Sequence, residues 1–87
     1  MKVFFFMGRN PANRSGLSWK IWKINRTGRR VSTFWGPATL QRRRAAFASS
    51  PQSRRRRFET LEAARLFEES KIREKLRAGY QRRTRWR

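Results

Sequence analysis

The sequence predicts an α+β fold, with a small antiparallel β-sheet and one C-terminal α-helix packed across it. Two observations lead to this expectation. The first 35 residues contain three segments rich in β-branched and aromatic side chains, separated by turn-forming residues. Residues 60–78 instead carry apolar side chains at helical spacing, between a candidate N-cap and a terminal glycine.

Three strands are expected in the first part of the chain. The apolar segment 2–7 is the first, and residues 8–16 form a loop because they combine Asn-Pro and Ser-Gly turn chemistry. Residues 19–24 and 30–35 form a β-hairpin, joined by a turn at 25–28. Apolar side chains occur at both parities of 19–24, which indicates that both faces of this strand are covered.

The middle of the chain is more ambiguous. Residues 40–48 are compatible with a short helix or with an extended arm. Residues 54–58 favour a strand that leads into the helix.

The helix at 60–78 has signals at both ends. Thr60 is a candidate N-cap, Glu62 suits the positive end of the helix dipole, and Gly79 is a candidate C′ residue. Its sheet-facing side is expected to include Leu61, Ala64, Phe67 and Ala78, with Ile72 and Leu76 at the edge and the stems of Lys71 and Lys75 between them.

The length of 87 residues fits one domain with a small core. We expect this domain to span residues 1–81. Residues 82–87 then form a basic tail without an apolar period, which is expected to be disordered in the free protein.

Charge is the dominant feature of the composition. The chain has 24 Lys or Arg and 5 Asp or Glu, for a net charge of +19. Residues 59–74 contain all five Glu and three basic residues, a net charge of −2, so the rest of the chain carries +21. We therefore expect one strongly positive face and a polyanionic partner, of which nucleic acid is the commonest.

Several classes of function are disfavoured. The chain has no Cys and no His, which removes thiolate chemistry and the usual general base and metal ligand. Glutamates alone make a poor catalytic set, so we expect no enzyme activity, no metal and no cofactor. The apolar segment 2–7 is too short for a signal peptide, which favours a cytoplasmic or nucleoid location.

Four landmarks follow one another along the chain. They are the loop Asn10-Pro11-Ala12-Asn13, the pair Trp35-Gly36 at a strand end, the segment 58–64 that opens the helix, and the helix end 75–80, with Lys75 and Gly79-Tyr80. Landmarks in this order resemble those of the WGR domain family. The family occurs in poly(ADP-ribose) polymerases and in bacterial WGR proteins. The resemblance covers residues 8 to 81 and implies an antiparallel sheet crossed by one helix, with DNA binding as the activity.

The third position of the family motif is Pro37 in this sequence, where the family name leads one to expect Arg. In the polymerases the motif Trp packs against the sugar-phosphate backbone near a DNA break, and the Arg connects that contact to neighbouring domains. The resemblance thus implies the first role for Trp35 and gives no support for the second. It does not imply ADP-ribosyl transfer, because the transferase domain is absent from this chain.

Basic side chains are the main candidates for phosphate contact, since arginine pairs with phosphate through a planar fork. The candidates are Arg30, Arg42, Arg43, Arg44, Arg54, Arg55, Arg56, Arg57 and Lys75.

The aromatic residues carry alternatives. Trp35 could stack on a base or ribose, or lie in the core. Trp19 and Trp22 are expected in the core under the helix, whereas Trp86 in the tail lacks an evident packing partner. Tyr80 is expected to pack the helix end, which is commoner at this position than a ligand contact.

The sequence therefore predicts a non-enzymatic module that binds nucleic acid, DNA rather than RNA, mainly through the backbone, with ends or nicks as candidate sites. The alternative is a scaffold module whose arginines dock an acidic protein. Binding to an anionic membrane is a third hypothesis, and the net acidic helix argues against it.

Overall fold

The computed structural model describes residues 1–9, 11–12, 14, 16–42 and 44–82. Five strands form an antiparallel sheet and one C-terminal helix packs across it, which confirms the predicted α+β class. The elements are β1 (Lys2–Arg9), β2 (Leu17–Thr27), β3 (Arg30–Gln41), β4 (Arg44–Phe47), β5 (Gln52–Arg57) and α1 (Leu61–Arg77).

Strand β3 organises the sheet. Strands β1, β2 and β3 are neighbours in chain order, and β3 uses its other side for two partners. Its first half, residues 30–35, pairs with β5, whereas residues 38–41 pair with β4. Strands β4 and β5 thus form one interrupted edge of the sheet, and β3 is the only strand with which β5 pairs in the described part of the chain.

The predicted hairpin of β2 and β3 is confirmed, with longer strands and a tighter turn than the sequence indicated. Thr27 pairs with Arg30, so the turn consists of Gly28 and Arg29 alone. Gly28 has φ 61°, and a positive φ at the first turn position is the arrangement of a type II′ turn, which suits the twist of a hairpin.

Of the two alternatives for segment 40–48, the helix was wrong, and the described residues of the segment that lie in strands are extended and paired. The segment contributes to a second hairpin, in which Leu40 pairs with Ala45 and Ala38 pairs with Phe47. Their apolar side chains recur at a period of two, which satisfies a strand and not a helix. The predicted loop at 8–16 is also shorter than expected, because β1 continues to Arg9.

The sheet buries side chains on both faces. The core on the helix side contains Phe4, Trp22, Ile24, Val31 and Ala64. The opposite, open face has its own core of Phe5, Ile21 and Ala38, with Trp19 and Phe47 packed against it. The expectation that both faces of β2 are covered is therefore confirmed.

The position expected for Trp19 was wrong. Its ring stacks on Phe5 on the open face, with ring centroids 5.4 Å apart, and does not lie under the helix. Trp22 does lie on the helix side. The two side chains are three residues apart on a strand, so the period of two places them on opposite faces.

Helix α1 begins and ends at the predicted signals. The Thr60 side chain accepts a hydrogen bond of 3.0 Å from the Ala63 amide, and Gly79 has the positive φ of a C′ residue, 100°. The predicted apolar face was partly wrong, because Leu61 is 49% exposed and Ala78 is exposed as well. Leu76, which was expected at the edge of this face, is 50% exposed. Contact with the sheet comes from Ala64, Phe67 and Ile72.

The chain returns to the sheet after the helix. The Gln81 amide donates to the Phe5 carbonyl at 2.8 Å, and the Phe5 amide donates to the Gln81 carbonyl at 2.7 Å. These bonds fix the end of the helix against the outer edge of β1. Residues 83–87, which include Trp86 and most of the predicted tail, lie outside the described residues.

Candidate nucleic-acid interface

The four consecutive arginines of β5 point alternately to the two faces of the sheet. Arg56 pairs with Val31, which is buried in the helix-side core, and Arg54 pairs with Thr33. Directly paired residues of antiparallel strands share a face, so Arg54 and Arg56 lie on the helix side. Arg55 and Arg57 lie on the open face.

Between β5 and α1 the surface forms an open cleft of about 500 Å³, which we name the helix-side cleft. Four cations with side chains on this face line it, two from the strand and two from the helix, together with three aromatic side chains. These residues are Arg54, Arg56, Lys71, Lys75, Trp22, Trp35 and Phe67. Thr33 and a fifth cation, Arg55, whose side chain lies on the open face, complete the lining. The cleft thus combines positive charge with apolar ring surface.

Aromatic rings hold the cations at the cleft. Lys75 Nζ lies 5.6 Å from the Trp22 ring centroid and 5.3 Å from that of Tyr80. The Arg56 guanidinium lies 5.2 Å from the Phe67 centroid. At such distances a cation is attracted to the ring face, so the cations are positioned without being neutralised.

Carboxylates neutralise little of this charge. In the described part of the chain, Glu74 pairs with Lys71 at 3.4 Å, and Glu68 pairs with Lys2 and Arg26. No ion pair involves the β5 arginines or Lys75 within the same residues. The cleft therefore keeps most of its positive charge for a ligand.

Trp35 stands between two clefts. It lines the helix-side cleft and also a neighbouring cleft of about 430 Å³ that contains Lys20 and Tyr80. Its ring packs against the helix-side core and is only partly buried, and its indole N–H donates to Gln52 Oε1 at 2.9 Å. Core packing and an accessible ring edge are thus combined in one side chain.

Tyr80 closes the end of the helix. The centroids of the Tyr80 and Phe6 rings are 5.2 Å apart. Lys75 Nζ lies over the Tyr80 ring, and Tyr80 also lines the neighbouring cleft. Burial raises the pKa of the Tyr80 hydroxyl above its usual value. Tyr80 is therefore neutral at physiological pH and adds no negative charge beside Lys75.

The remaining predicted phosphate contacts lie elsewhere. Arg42 and Arg44 flank the tip of the β3–β4 hairpin, where Arg42 adopts a positive φ of 52°. Arg30 lies at the other end of β3, roughly 35 Å away along an extended strand. Arg43 lies outside the described residues.

The expectation of one strongly positive face was therefore wrong. The predicted arginines divide into the hairpin tip, the helix side and the open face, because a strand sends successive side chains in opposite directions. Conversely, Lys71, Phe67 and Trp22 line the cleft in the structure. The sequence had indicated only a packing role for these three residues. The spacing of Lys71 and Lys75, one helical turn apart on the buried side of α1, was the available signal.

The described ranges show neither a metal-binding cluster nor a membrane-spanning helix. There, no group of three His, Cys, Asp or Glu side chains is placed to hold a metal ion. No helix of these ranges has the length and apolar character that crossing a membrane requires.

The chain was compared with family models, with curated proteins and with solved structures, and none of the three comparisons finds a match.

Proposed function

We propose that this protein is a non-enzymatic module that binds nucleic acid, DNA in preference to RNA, mainly through the sugar-phosphate backbone. The observation that carries the proposal is the helix-side cleft, in which Arg54, Arg56, Lys71 and Lys75 converge beside aromatic rings. Cations placed together in this way can neutralise several phosphates and release their counterions.

The aromatic side chains favour nucleic acid over other polyanions. A nucleotide presents a phosphate, which pairs with arginine, and flat base and sugar surfaces, which stack on rings. The cleft offers both kinds of partner, with Trp35 and Phe67 beside the cations. An acidic protein surface would use the charges and leave the rings without a role.

Backbone contact is favoured over sequence reading. The exposed side of α1 carries Glu62 and Glu69, which would repel phosphates if this helix entered a DNA groove. The arginines of β5 instead lie along an edge strand, where they can follow a phosphate backbone. The resemblance to the WGR domain, with Trp35 as the motif tryptophan, is part of this proposal and accounts for the preference for DNA.

Salt dependence tests the proposal directly. Lys20, which lies beyond Trp35, adds to the four cleft cations, so about five phosphates are expected to be neutralised. The plot of log K against log salt is therefore expected to slope near −5 on duplex DNA. The measurement uses blunt and nicked duplex, single-stranded DNA, and single- and double-stranded RNA of matched length. A flat slope with negligible binding near physiological salt contradicts the proposal and points to an acidic protein partner.

The role of Trp35 is tested by Trp35→Ala on the same substrates. Loss of stacking is worth roughly 1–3 kcal/mol per base, so binding to ends, nicks and single strands should fall about 5- to 150-fold, with little change on closed circular duplex. Gln52→Ala is the control, because it removes the hydrogen bond to the indole and leaves the ring. An equal loss on every substrate would assign Trp35 to the core alone.

A further inference from the structure

The open face of the sheet carries a second group of arginines, at the end near the β2–β3 turn. Arg30 on β3 pairs directly with Arg57 on β5, and Arg55 lies next along the same face, opposite Ser32. All three arginines are exposed. We name this group, Arg30, Arg55 and Arg57, the open-face patch.

From this arrangement we propose that the open-face patch is a second binding site for a nucleic-acid backbone, so that one protein molecule joins two duplex segments. The inference rests on the proposed function, since it requires the helix-side cleft to hold the first duplex. It adds a separate site and a consequence, the bridging of two duplexes, that the cleft alone does not provide.

Unfavourable packing of like charges is the first argument for the patch. Arg30 and Arg57 are directly opposite on neighbouring strands, a placement that destabilises a sheet when both residues carry the same charge. Within the described residues, neither forms an ion pair with a carboxylate. A phosphate between the two guanidinium groups would turn this repulsion into two charge-assisted contacts.

The surroundings of the patch fit a backbone ligand. A shallow depression of about 360 Å³ includes Arg30, Arg55, Asn25 and the half-buried ring of Phe34. The short polar side chains can donate to phosphate or sugar oxygens. Ala45 and Phe47 of β4 pack against the open-face core, and the patch lies at the opposite end of β3.

The sheet separates the two sites except at Arg55 on the edge strand, which lines both. Lys71 and Lys75 belong to the helix, which packs on one face of the sheet, whereas the Arg30 side chain lies on the opposite, open face. Helix α1 also carries four of the five glutamates, Glu62, Glu68, Glu69 and Glu74, on the side away from the patch. A duplex in the cleft therefore leaves Arg30 and Arg57 free for another.

A single duplex lying against the edge of β5 is the competing arrangement. It would contact Arg54, Arg55, Arg56 and Arg57 together and hold one duplex per protein. It gives no role to Arg30, which lies one strand inside the edge. The number of duplexes bound therefore separates the two arrangements.

The test counts short duplexes bound by the whole chain. With excess blunt duplex of about one helical turn, native mass spectrometry should show two duplexes on the unaltered protein. Arg30→Glu with Arg57→Glu should bind one duplex, and so should the matched pair Arg54→Glu with Arg56→Glu. Circular dichroism shows whether the Glu variants are folded. The corresponding Gln variants, which remove the charges without reversing them, give the same comparison with less risk of unfolding.

A bridging assay completes the test, with one duplex fixed on beads and a second, labelled duplex in solution. The unaltered protein should retain the labelled duplex, and each paired variant should retain at least tenfold less. A dimer with one site per chain predicts full retention by the Arg30 and Arg57 variant, which would overturn the inference. Binding of one duplex without bridging would overturn it and leave the proposed function standing, whereas no binding to any duplex would contradict both.

Discussion

Replacing Arg54, Arg56, Lys71 and Lys75 with Gln lowers the affinity for duplex DNA by about 100-fold and flattens the salt slope from near −5 to near −3. The remaining site is the open-face patch, whose three arginines contribute about 0.9 each to the slope. The loss of about two phosphate contacts, at about 1.5 kcal/mol each for hydrogen bonds to a charged group, corresponds to the expected loss of affinity. Fluorescence anisotropy at several salt concentrations provides the measurement.

The control for this variant removes the same charge from other places. Arg9, Arg14, Arg65 and Arg73 are exposed and lie outside the lining of the cleft and of the open-face patch. Their replacement by Gln changes the net charge equally, so it should weaken binding less than about fivefold through the long-range field alone. Equal losses in the two variants would mean that total charge, and not the cleft, drives binding.

Local signals in the sequence were reliable where the structure depends on local contacts. Thr60 and Gly79 mark the ends of α1 because a cap interacts with residues only a few positions away. Gly28 likewise marks the β2–β3 turn, where its positive φ is needed. These features require no knowledge of the rest of the fold.

The errors arose where a position depends on distant parts of the chain. The segment 40–48 is compatible with a helix and with an extended arm, because it offers too few residues for its period to decide, and pairing within the β3–β4 hairpin makes it extended. Leu61 has the apolar character of a buried residue, yet the sheet contacts α1 along the stripe that contains Ala64 and Phe67. Hydrophobicity alone does not determine which side of a helix meets a sheet.

The spacing of the basic residues predicts on which faces their side chains lie, which the amino-acid composition alone does not. Once 54–58 is taken as a strand, the period of two divides the arginines of β5 between the two faces. The positions of Lys71 and Lys75 follow from the helical period in the same way. The cleft itself could not be predicted, because its shape depends on how α1 lies across β3 and β5.

Phe5, in the open-face core, is expected to contribute strongly to stability. Phe5 is 1% exposed and stacks on Trp19, with Ile21 beside it. Phe5→Ala should lower the free energy of unfolding by about 3–5 kcal/mol, the usual cost of removing a buried aromatic ring. That is a large part of the total stability of a small domain, about 5–15 kcal/mol. Urea unfolding followed by circular dichroism measures the change.

A comparison with Phe4 shows whether the two faces are separate cores. Phe4 lies in the helix-side core against Trp22, and the buried residues of that core are not shared with the core of Phe5. The milder Phe4→Leu and Phe5→Leu should therefore add within about 0.5 kcal/mol in the double variant, as independent sites do. A cost below about 1 kcal/mol for Phe5→Ala, with the full cost for Phe4→Ala, would mean that only the helix side stabilises the sheet. In that case the open-face core would not stabilise the sheet, and the part of this face available for binding would be larger than the open-face patch.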